Sequence, residues 1–252
     1  LSDTMSIAQP PQSMSASETH VNVSCFGGGN GAINLTVTGP GFPFTYLWST
    51  GETAQDIDSL VAGIYNVTIT DDDGCTLQQS VNISQPVSGM NVQSIISNVT
   101  CYGAQTGSIS VTVTGQTPPF QYNWSSGAGA ANLTNILAGN YILTVIDING
   151  CQVIDTLVVT QPAAPLTLAL NATNVPCYNQ TSGAIDLVVT GGTPTYTYAW
   201  SNSAQSQDLL GVGTGLYSVV VTDANGCTAS ASTFLTQPTM SLTASAAVSG
   251  VS

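Results

Sequence analysis

The sequence predicts an all-β protein made of tandem β-sandwich modules, and three observations support this prediction. The same residues recur every 76 positions through three uninterrupted copies. Apolar and polar residues alternate in short runs, which is the pattern of strands with one buried face. Clusters of Gly, Pro, Asn and Asp separate these runs, as turns do between strands. No stretch has the 3.6-residue periodicity of an amphipathic helix.

The repeat defines the predicted domains. Two sets of cysteines, a tryptophan and a tyrosine keep the 76-residue spacing: Cys25, Cys101 and Cys177; Cys75, Cys151 and Cys227; Trp48, Trp124 and Trp200; Tyr65, Tyr141 and Tyr217. The dipeptide Gln-Pro recurs at 85–86, 161–162 and 237–238. We therefore predict repeats at 11–86, 87–162 and 163–238. Residues 1–10 are then the closing strand of a preceding repeat, and 239–252 the opening strand of a following one.

The alternation within one repeat predicts its strands and core. Ile33, Leu35 and Val37 alternate with polar residues, and further runs carry Phe44, Tyr46 and Trp48 or Tyr65, Val67 and Ile69 on one face. Six or seven such strands with a central Trp are typical of a small immunoglobulin-like sandwich. We expect each of these Trp residues to lie in the core, rather than on the surface as a platform for sugars.

The composition excludes several partners. The chain has no Lys or Arg, 13 acidic residues and a formal net charge of −13. Without cationic side chains it cannot neutralise phosphates, so neither nucleic acid nor an anionic membrane surface is an expected partner. No apolar run approaches the roughly 20 residues of a membrane span, so insertion into a membrane is not expected. Stability must come from apolar burial, hydrogen bonds and cross-links.

Five motifs together resemble one known family. They are Val-Ser-Cys-Phe-Gly-Gly (23–28), Gly-Ala-Ile-Asn-Leu-Thr-Val-Thr-Gly (31–39), Pro-Phe-Thr-Tyr-Leu-Trp-Ser (43–49), Ala-Gly-Ile-Tyr-Asn-Val-Thr-Ile-Thr-Asp (62–71) and Asp-Gly-Cys-Thr (73–76). This combination resembles the SprB repeat of large surface adhesins of gliding bacteria, exported by type IX secretion. The Tyr-x-Trp segment also resembles the related polycystic-kidney-disease-type (PKD-like) sandwich. The resemblance implies an extracellular stalk or adhesin module.

The six cysteines are expected to form disulfides, because their number is even and the implied location is extracellular. We predict the bonds Cys25–Cys75, Cys101–Cys151 and Cys177–Cys227, each within one repeat. This pairing requires an even number of strands between the two cysteines, which would place both at the same end of the sandwich. The alternative joins adjacent repeats through Cys75–Cys101 and Cys151–Cys177.

Catalysis has little support in the sequence. His20 is the sole histidine and does not recur in the other repeats, so we interpret it as a surface residue. Glu18 and Glu52 do not recur either, and no nucleophile is paired with a base. We therefore expect no enzymatic activity and no cofactor, with calcium left open.

Acidic clusters after each long strand have the form Asp-x-Asp/Asn-Gly. The candidate calcium ligands are Asp71, Asp73, Asp147, Asn149, Asp223 and Asn225. Their spacing resembles the start of a calcium loop but lacks the distal Glu. A hairpin turn is the favoured interpretation, since Asn-Gly and Asp-Gly pairs adopt positive φ easily. Zinc is not expected because no CxxC pair exists.

Three tripeptides resemble the short O-glycosylation acceptor pattern of this bacterial phylum. Their acceptor residues are Thr4, Ser59 and Thr156. Such tripeptides also occur by chance in a chain rich in Ser and Thr.

The expected function is a non-catalytic structural or adhesive segment of a long secreted adhesin filament, with neighbouring repeats of the same chain as its partners. The resemblance extends this expectation to gliding motility. The alternative is a module that binds extracellular glycans or calcium through its loops. The register also predicts that Cys follows Ser252 in a longer parent sequence.

Overall fold

A computed structural model describes residues 13–246 and contains only strands as regular elements in that range. The first repeat contains β1 (Ser15–Val21), β2 (Gly31–Thr38), β3 (Thr45–Trp48), β4 (Ile57–Leu60), β5 (Gly63–Thr70) and β6 (Thr76–Ile83). The second contains β7 (Asn91–Ser97), β8 (Gly107–Thr114), β9 (Gln121–Trp124), β10 (Leu133–Ile136), β11 (Gly139–Ile146) and β12 (Gln152–Val159). The third contains β13 (Thr167–Thr173), β14 (Gly183–Thr190), β15 (Thr197–Trp200), β16 (Leu209–Val212), β17 (Gly215–Thr222) and β18 (Thr228–Leu235). The all-β prediction is therefore confirmed.

The strands form six three-stranded sheets, two in each repeat. In the first repeat the sheet orders are β1-β2-β4 and β3-β5-β6. The corresponding orders are β7-β8-β10 with β9-β11-β12, and β13-β14-β16 with β15-β17-β18. Neighbouring strands in the first and third repeats are antiparallel throughout. This arrangement lets the alternate residues of both sheets face one core.

The core of the first repeat lies between its two sheets, as the period-two pattern predicts. Ile33 and Leu35 come from one sheet, Val67 and Ile69 from the other, and all four are at most 2% exposed. Tyr46 is partly buried and packs against this cluster. The third repeat has an equivalent core that joins residues of both of its sheets: Ile185, Leu187, Trp200, Leu209, Val219, Val221 and Leu235.

Each central tryptophan is buried and hydrogen-bonded, so the prediction of a core role is confirmed. Trp48, Trp124 and Trp200 are 2%, 5% and 4% exposed. The indole Nε1 of Trp48 donates to the Ala54 carbonyl oxygen at 2.9 Å, and that of Trp124 to Ala130 at 2.8 Å. A buried indole needs such a partner for its N–H. These rings are therefore not available as sugar platforms.

A glycine at the start of β2 is required by close packing. A Cβ atom on Gly31 would lie 2.9 Å from both the Leu60 carbonyl oxygen and a methyl group of Ile83. Gly107 and Gly183 begin the equivalent strands and face the same obstruction from a carbonyl oxygen and a core side chain. The absence of a side chain lets β4 and β6 approach the end of β2.

The chain divides into two compact units. Within the described range, one contains residues up to Gln93, together with Val111–Ala130 and Ile142–Asp155. The other contains Ser94–Ser110, Ala131–Tyr141 and the described residues from Thr156 onward. The first unit includes the sandwich β1–β6, and the second includes the sandwich β13–β18.

The predicted terminal strands have different outcomes. Residues 1–10 lie outside the described residues, as do 247–252. Residues 239–246 are described and form no strand. The equivalent strands β1 and β13 are held by pairing with β2 and β14, whereas 239–246 pair with no strand in the described range.

Candidate functional site: aspartate turns and cysteines

Three turns with a common aspartate connect the last two strands of each repeat. We call Asp71–Cys75, Asp147–Cys151 and Asp223–Cys227 the aspartate turns. In each turn the backbone N–H of Asp donates to the carbonyl oxygen of Cys, and the Gly N–H donates back to the Asp carbonyl oxygen. The Asp Oδ1 also accepts the Cys N–H, at 2.7 Å in the first turn and 2.8 Å in the other two. The Gly residue at each turn has positive φ. The predicted hairpin turns are confirmed.

The aspartates of the second and third turns are buried, each 5% exposed. Asp223 accepts backbone N–H groups from Asn225 and Cys227 at Oδ1 and from Thr193 at Oδ2, at 2.8 to 3.0 Å. Burial raises the pKa of Asp223, but these backbone hydrogen bonds outweigh burial and hold the pKa below its ordinary value of 3.8. Backbone donors stabilise the ionised form, so the carboxylate serves as an anionic anchor for the turn.

Asp147 has the same surroundings as Asp223. Its Oδ1 accepts N–H groups from Asn149 and Cys151, and its Oδ2 accepts the Thr117 N–H at 3.3 Å. Thr117 lies in the loop between β8 and β9. The aspartate therefore ties two loops together at one end of the repeat.

These contacts bear on the calcium hypothesis. The carboxylate oxygens of Asp147 and Asp223 already accept backbone N–H groups, and the Asn225 amide nitrogen donates to Thr100 and Thr193. Asp73 is exposed. Between residues 13 and 246, no three His, Cys, Asp or Glu side chains are grouped to hold a metal ion. Calcium binding at the aspartate turns stays the alternative to a purely structural turn.

The three cysteines that follow β1, β7 and β13 lie in a second recurring loop. We call Cys25, Cys101 and Cys177 the opening cysteines, and Cys75, Cys151 and Cys227 the turn cysteines. Two side chains hold the first of these loops against the end of β6: Asn22 accepts the Ser84 N–H at 2.8 Å, and Gln85 accepts the Gly27 N–H at 2.7 Å. The other two loops have the same bonds through Asn98 and Gln161, and through Asn174 and Gln237.

Sequence reasoning missed the role of these Asn and Gln residues. The recurrence of Gln-Pro was visible, and it indicated a fixed position without indicating a partner. The partner of Gln85 is 58 residues away in sequence, so local patterns do not reveal it.

The disulfides differ from both predicted pairings. The structure joins Cys25 to Cys151 and Cys101 to Cys227, each over a sequence separation of 126. The predicted bonds Cys25–Cys75 and Cys101–Cys151 are therefore wrong. The alternative bonds Cys75–Cys101 and Cys151–Cys177 are wrong as well. Cys75 and Cys177 carry free thiols, so the third predicted bond, Cys177–Cys227, is absent as well. Each bond connects the opening cysteine of one repeat to the turn cysteine of the next.

The direction of the strands explains the error. Val21 lies opposite Ala32, so the opening cysteine follows at the end of the sandwich where β2 begins. β4 runs antiparallel to β2, and β5 turns back after two residues. β3 is antiparallel to β5 and therefore runs in the same direction as β4. The two short strands β3 and β4 together therefore make one crossing of the sandwich, and β2 and β5 make one each. Four strands thus give three crossings between Cys25 and Cys75.

An odd number of crossings separates Cys25 from Cys75. The first aspartate turn lies at the opposite end, where the Asp72 N–H donates to the Gly41 carbonyl oxygen just beyond β2. A strand of eight residues spans about 26 Å. A disulfide requires Cα atoms within about 7 Å, so a bond within the repeat is excluded by geometry.

The first two opening loops instead contact the aspartate turn of the next repeat. The Ser24 carbonyl oxygen lies 3.5 Å from the Sγ of Cys151, and the Thr100 carbonyl oxygen lies 3.5 Å from the Sγ of Cys227. The Asn225 side chain donates to the same Thr100 oxygen at 3.0 Å. At the third aspartate turn a hydrogen bond and a disulfide thus join the same two loops.

The remaining candidate residues lie on the surface. His20 is exposed, as predicted, and its Nδ1 is 2.9 Å from the Glu18 carboxylate. Ser59 and Thr156 are exposed, and the Ser59 hydroxyl donates to Asp58. Thr4 lies outside the described residues. Glycosylation at these positions stays a prediction. Residues 13–246 include no helix with the length and hydropathy of a membrane span.

Comparison of the sequence with known families identifies one match. The family described as the SprB repeat matches at residues 17–53, 94–129 and 169–205. Each match begins in or near the first strand of a repeat and ends shortly after the buried Trp. No curated protein is significantly similar to the sequence.

Several solved structures of multi-domain proteins resemble the chain at low identity. The N-terminal eight Ig domains of Down syndrome cell adhesion molecule align over 84% of this chain and 35% of that one, with 12% identity and a TM-score of 0.43. A Ca²⁺-stabilized ice-binding adhesin of an Antarctic bacterium aligns over 84% and 69%, with 16% identity and a TM-score of 0.32. Domains 4–9 of the surface layer protein SbsC align over 90% and 48%, with 13% identity and a TM-score of 0.27. This chain therefore spans about a third of the first of these structures.

Proposed function

Because the chain carries three SprB repeats and so belongs to that family, we propose that it is a structural segment of an extracellular surface adhesin. Its task is to transmit tension along the chain without unravelling. The proposal carries no catalytic role and places the protein outside the cell. Export by type IX secretion, assembly into filaments and a part in gliding motility are the finer parts of the same proposal.

The observation that carries this proposal is the covalent connection between repeats. Cys25–Cys151 and Cys101–Cys227 each bridge two repeats that the backbone already joins. A bond within one domain would protect that domain alone. A bond from one repeat to the next lets tension bypass most of the chain between the two sulfurs, which suits a segment that is pulled at both ends.

The composition supports a load-bearing role outside the cell. Disulfides persist in oxidising compartments, where small domains use them in place of larger cores. The net charge of −13 arises without any Lys or Arg, so neighbouring chains repel one another. A long array of such repeats would resist collapse onto its neighbours.

The domain boundaries are part of the proposal. We propose that 11–86, 87–162 and 163–238 are the modules. Strand lengths support them, since each set of six strands has lengths of 7, 8, 4, 4, 8 and 8 residues.

Single-molecule pulling from the two chain ends tests the proposed function. With both disulfides intact, the shortest covalent path runs from the chain start to Cys25, across to Cys151, back along the chain to Cys101, and across to Cys227. This path includes about 100 residues, so the unfolded chain should extend to about 350 Å. After reduction all 252 residues extend, to about 900 Å. The Cys25→Ser/Cys101→Ser variant should behave as the reduced chain without any reductant. Equal extension before and after reduction would contradict a tension-bearing role for the disulfides.

A glycan array separates this proposal from the alternative of a glycan-binding module. The intact three-repeat chain should bind no glycan above the level of a denatured control. Binding that is lost on substitution of exposed loop residues would favour the alternative.

A further inference from the structure

Two of the six cysteines form no disulfide, whereas the other four form two bonds between repeats. Cys75 and Cys177 carry free thiols, and both are exposed. Cys75 is a turn cysteine and Cys177 is an opening cysteine. Each disulfide joins one opening cysteine to one turn cysteine. The two free thiols are also one of each kind, so each is able to pair in the same way with a cysteine of the other kind.

The loop at Cys177 is built like the loops that hold bonded opening cysteines. The Val175 N–H donates to Thr236, as the Val23 N–H donates to Ser84. Gln237 accepts the Asn179 N–H at 2.9 Å, as Gln85 accepts that of Gly27. The loop therefore holds Cys177 in its repeat as the first loop holds Cys25, which forms a disulfide.

An open depression lies beside Cys177. Its walls are Pro176, Tyr178 and residues 238–242. The depression beside Cys25 has equivalent walls in Phe26, Gly89 and Met90, but a further wall there comes from the next repeat, through Gln116 and residues 150–153. One wall of the depression at Cys25 is thus formed by an aspartate turn and its neighbours. The depression at Cys177 is open on the equivalent side.

The turn at Cys75 shares three internal hydrogen bonds with the bonded turns. The Cys75 N–H donates to Asp71 Oδ1 at 2.7 Å, matching the 2.8 Å of the bonded turns. Asp71 is half-buried, whereas Asp147 and Asp223 are 5% exposed. The first turn therefore has the conformation of the bonded turns without the full burial that they have.

We propose that Cys177 and Cys75 are docking sites for further SprB repeats. Cys177 forms a disulfide with the turn cysteine of another repeat, and Cys75 with the opening cysteine of another repeat. In each bond two thiols lose two protons and two electrons to a disulfide oxidant, such as oxidised glutathione or a thiol–disulfide oxidoreductase, which is reduced to two thiols. The inference does not depend on an adhesive function.

A second copy of the chain serves as the first probe, in a glutathione redox buffer. Cys75→Ser and Cys177→Ser variants should each stay monomeric alone, and their mixture should form a dimer through Cys177 of one and Cys75 of the other. The mixed bond should exceed either symmetric bond by about an order of magnitude, because docking holds only that pair of sulfurs within bonding range. Dimers that form equally well in each variant alone would overturn the proposal.

A four-repeat chain is the second probe, with an additional copy of residues 11–86 placed directly after Pro238. Cys177 should bond to the turn cysteine of the added repeat, as a peptide map under non-reducing conditions would show. Success here without dimerisation in the first experiment assigns the docking site to repeats of one chain. A Cys177 thiol that stays open to alkylation in the four-repeat chain, with no mixed dimer in the first experiment, would overturn the proposal. Neither result depends on the pulling experiment.

Discussion

The first and third aspartate turns share three internal hydrogen bonds and have different surroundings. Cys75 and Cys227 both donate their backbone N–H to the aspartate of their own turn. Asp223 is buried and its cysteine is bonded to Cys101, whereas Asp71 is half-buried and Cys75 is a free thiol. The turn's conformation thus belongs to its own sequence. Its cross-link depends on an opening loop, and no opening cysteine is bonded to Cys75.

The largest difference between bonded and free turns should appear on removing their cysteines. Cys151→Ser opens a loop that spans 126 positions, and the chain-entropy account assigns roughly 4 to 5 kcal/mol to such a closure. Cys75→Ser breaks no bond and should change the free energy of unfolding by less than about 0.5 kcal/mol. Urea unfolding without reductant measures both. Equal effects of the two substitutions would mean that the Cys25–Cys151 bond is absent or without consequence.

The aspartates should differ by a smaller amount. Asp223→Asn replaces an ionised acceptor of three backbone N–H groups at a buried site and should cost about 2 kcal/mol. Asp71→Asn affects a half-buried turn and should cost less than about 1 kcal/mol. Thermal unfolding of the two variants beside the parent chain would check this order. A larger loss for Asp71→Asn would mean that burial does not strengthen the turn.

The free energy of unfolding of the parent chain should depend on pH more strongly than that of Asp223→Asn. The pKa of Asp223 is lower in the folded chain than in the unfolded chain, so its contribution is present above about pH 4. That contribution is lost as the pH falls through the lowered, folded-state pKa. The difference in stability between the parent chain and Asp223→Asn should therefore shrink on acidification. A difference that stays constant from pH 6 to pH 2 would show that the charge of Asp223 is not what stabilises the turn.

Calcium should give the smallest effect. The buried aspartates already accept backbone N–H groups, which leaves few oxygens for a cation. A site with a Kd near 10⁻⁴ M would add about 1.4 kcal/mol at 1 mM calcium. We expect a shift in Tm of less than about 1 °C at that concentration. A larger shift that is removed by chelation and by substitution of Asp73 would favour the calcium-binding alternative.

The sequence predicted strands and core well because both depend on short-range patterns. Ile33 and Leu35 alternate with polar residues, and the structure buries them. The tryptophans recur in a strand pattern, and the structure places them inside. Hairpin turns at Asp-Gly and Asn-Gly pairs follow from local backbone preference. These features need no knowledge of how distant strands run.

Cysteine pairing could not be predicted in the same way. It depends on β3 and β4 running in one direction, and residue periodicity gives strand position without strand direction. A repeated sequence adds a further ambiguity, since identical spacing fits pairing within a repeat and pairing between repeats. The side chains of Asn22 and Gln85 that fix the opening loop were hidden for a related reason, because their partners lie about 60 residues away.

A disulfide map of the intact chain distinguishes bonds between repeats from bonds within repeats. Free thiols are alkylated first, and the chain is then digested with pepsin at acid pH, where thiolate-driven exchange is slow. Trypsin cannot serve, since the chain has no Lys or Arg. We expect peptides that join Cys25 to Cys151 and Cys101 to Cys227, with the alkyl label on Cys75 and Cys177. Peptides that join Cys25 to Cys75 and Cys101 to Cys151 would show that the repeats are not cross-linked to one another.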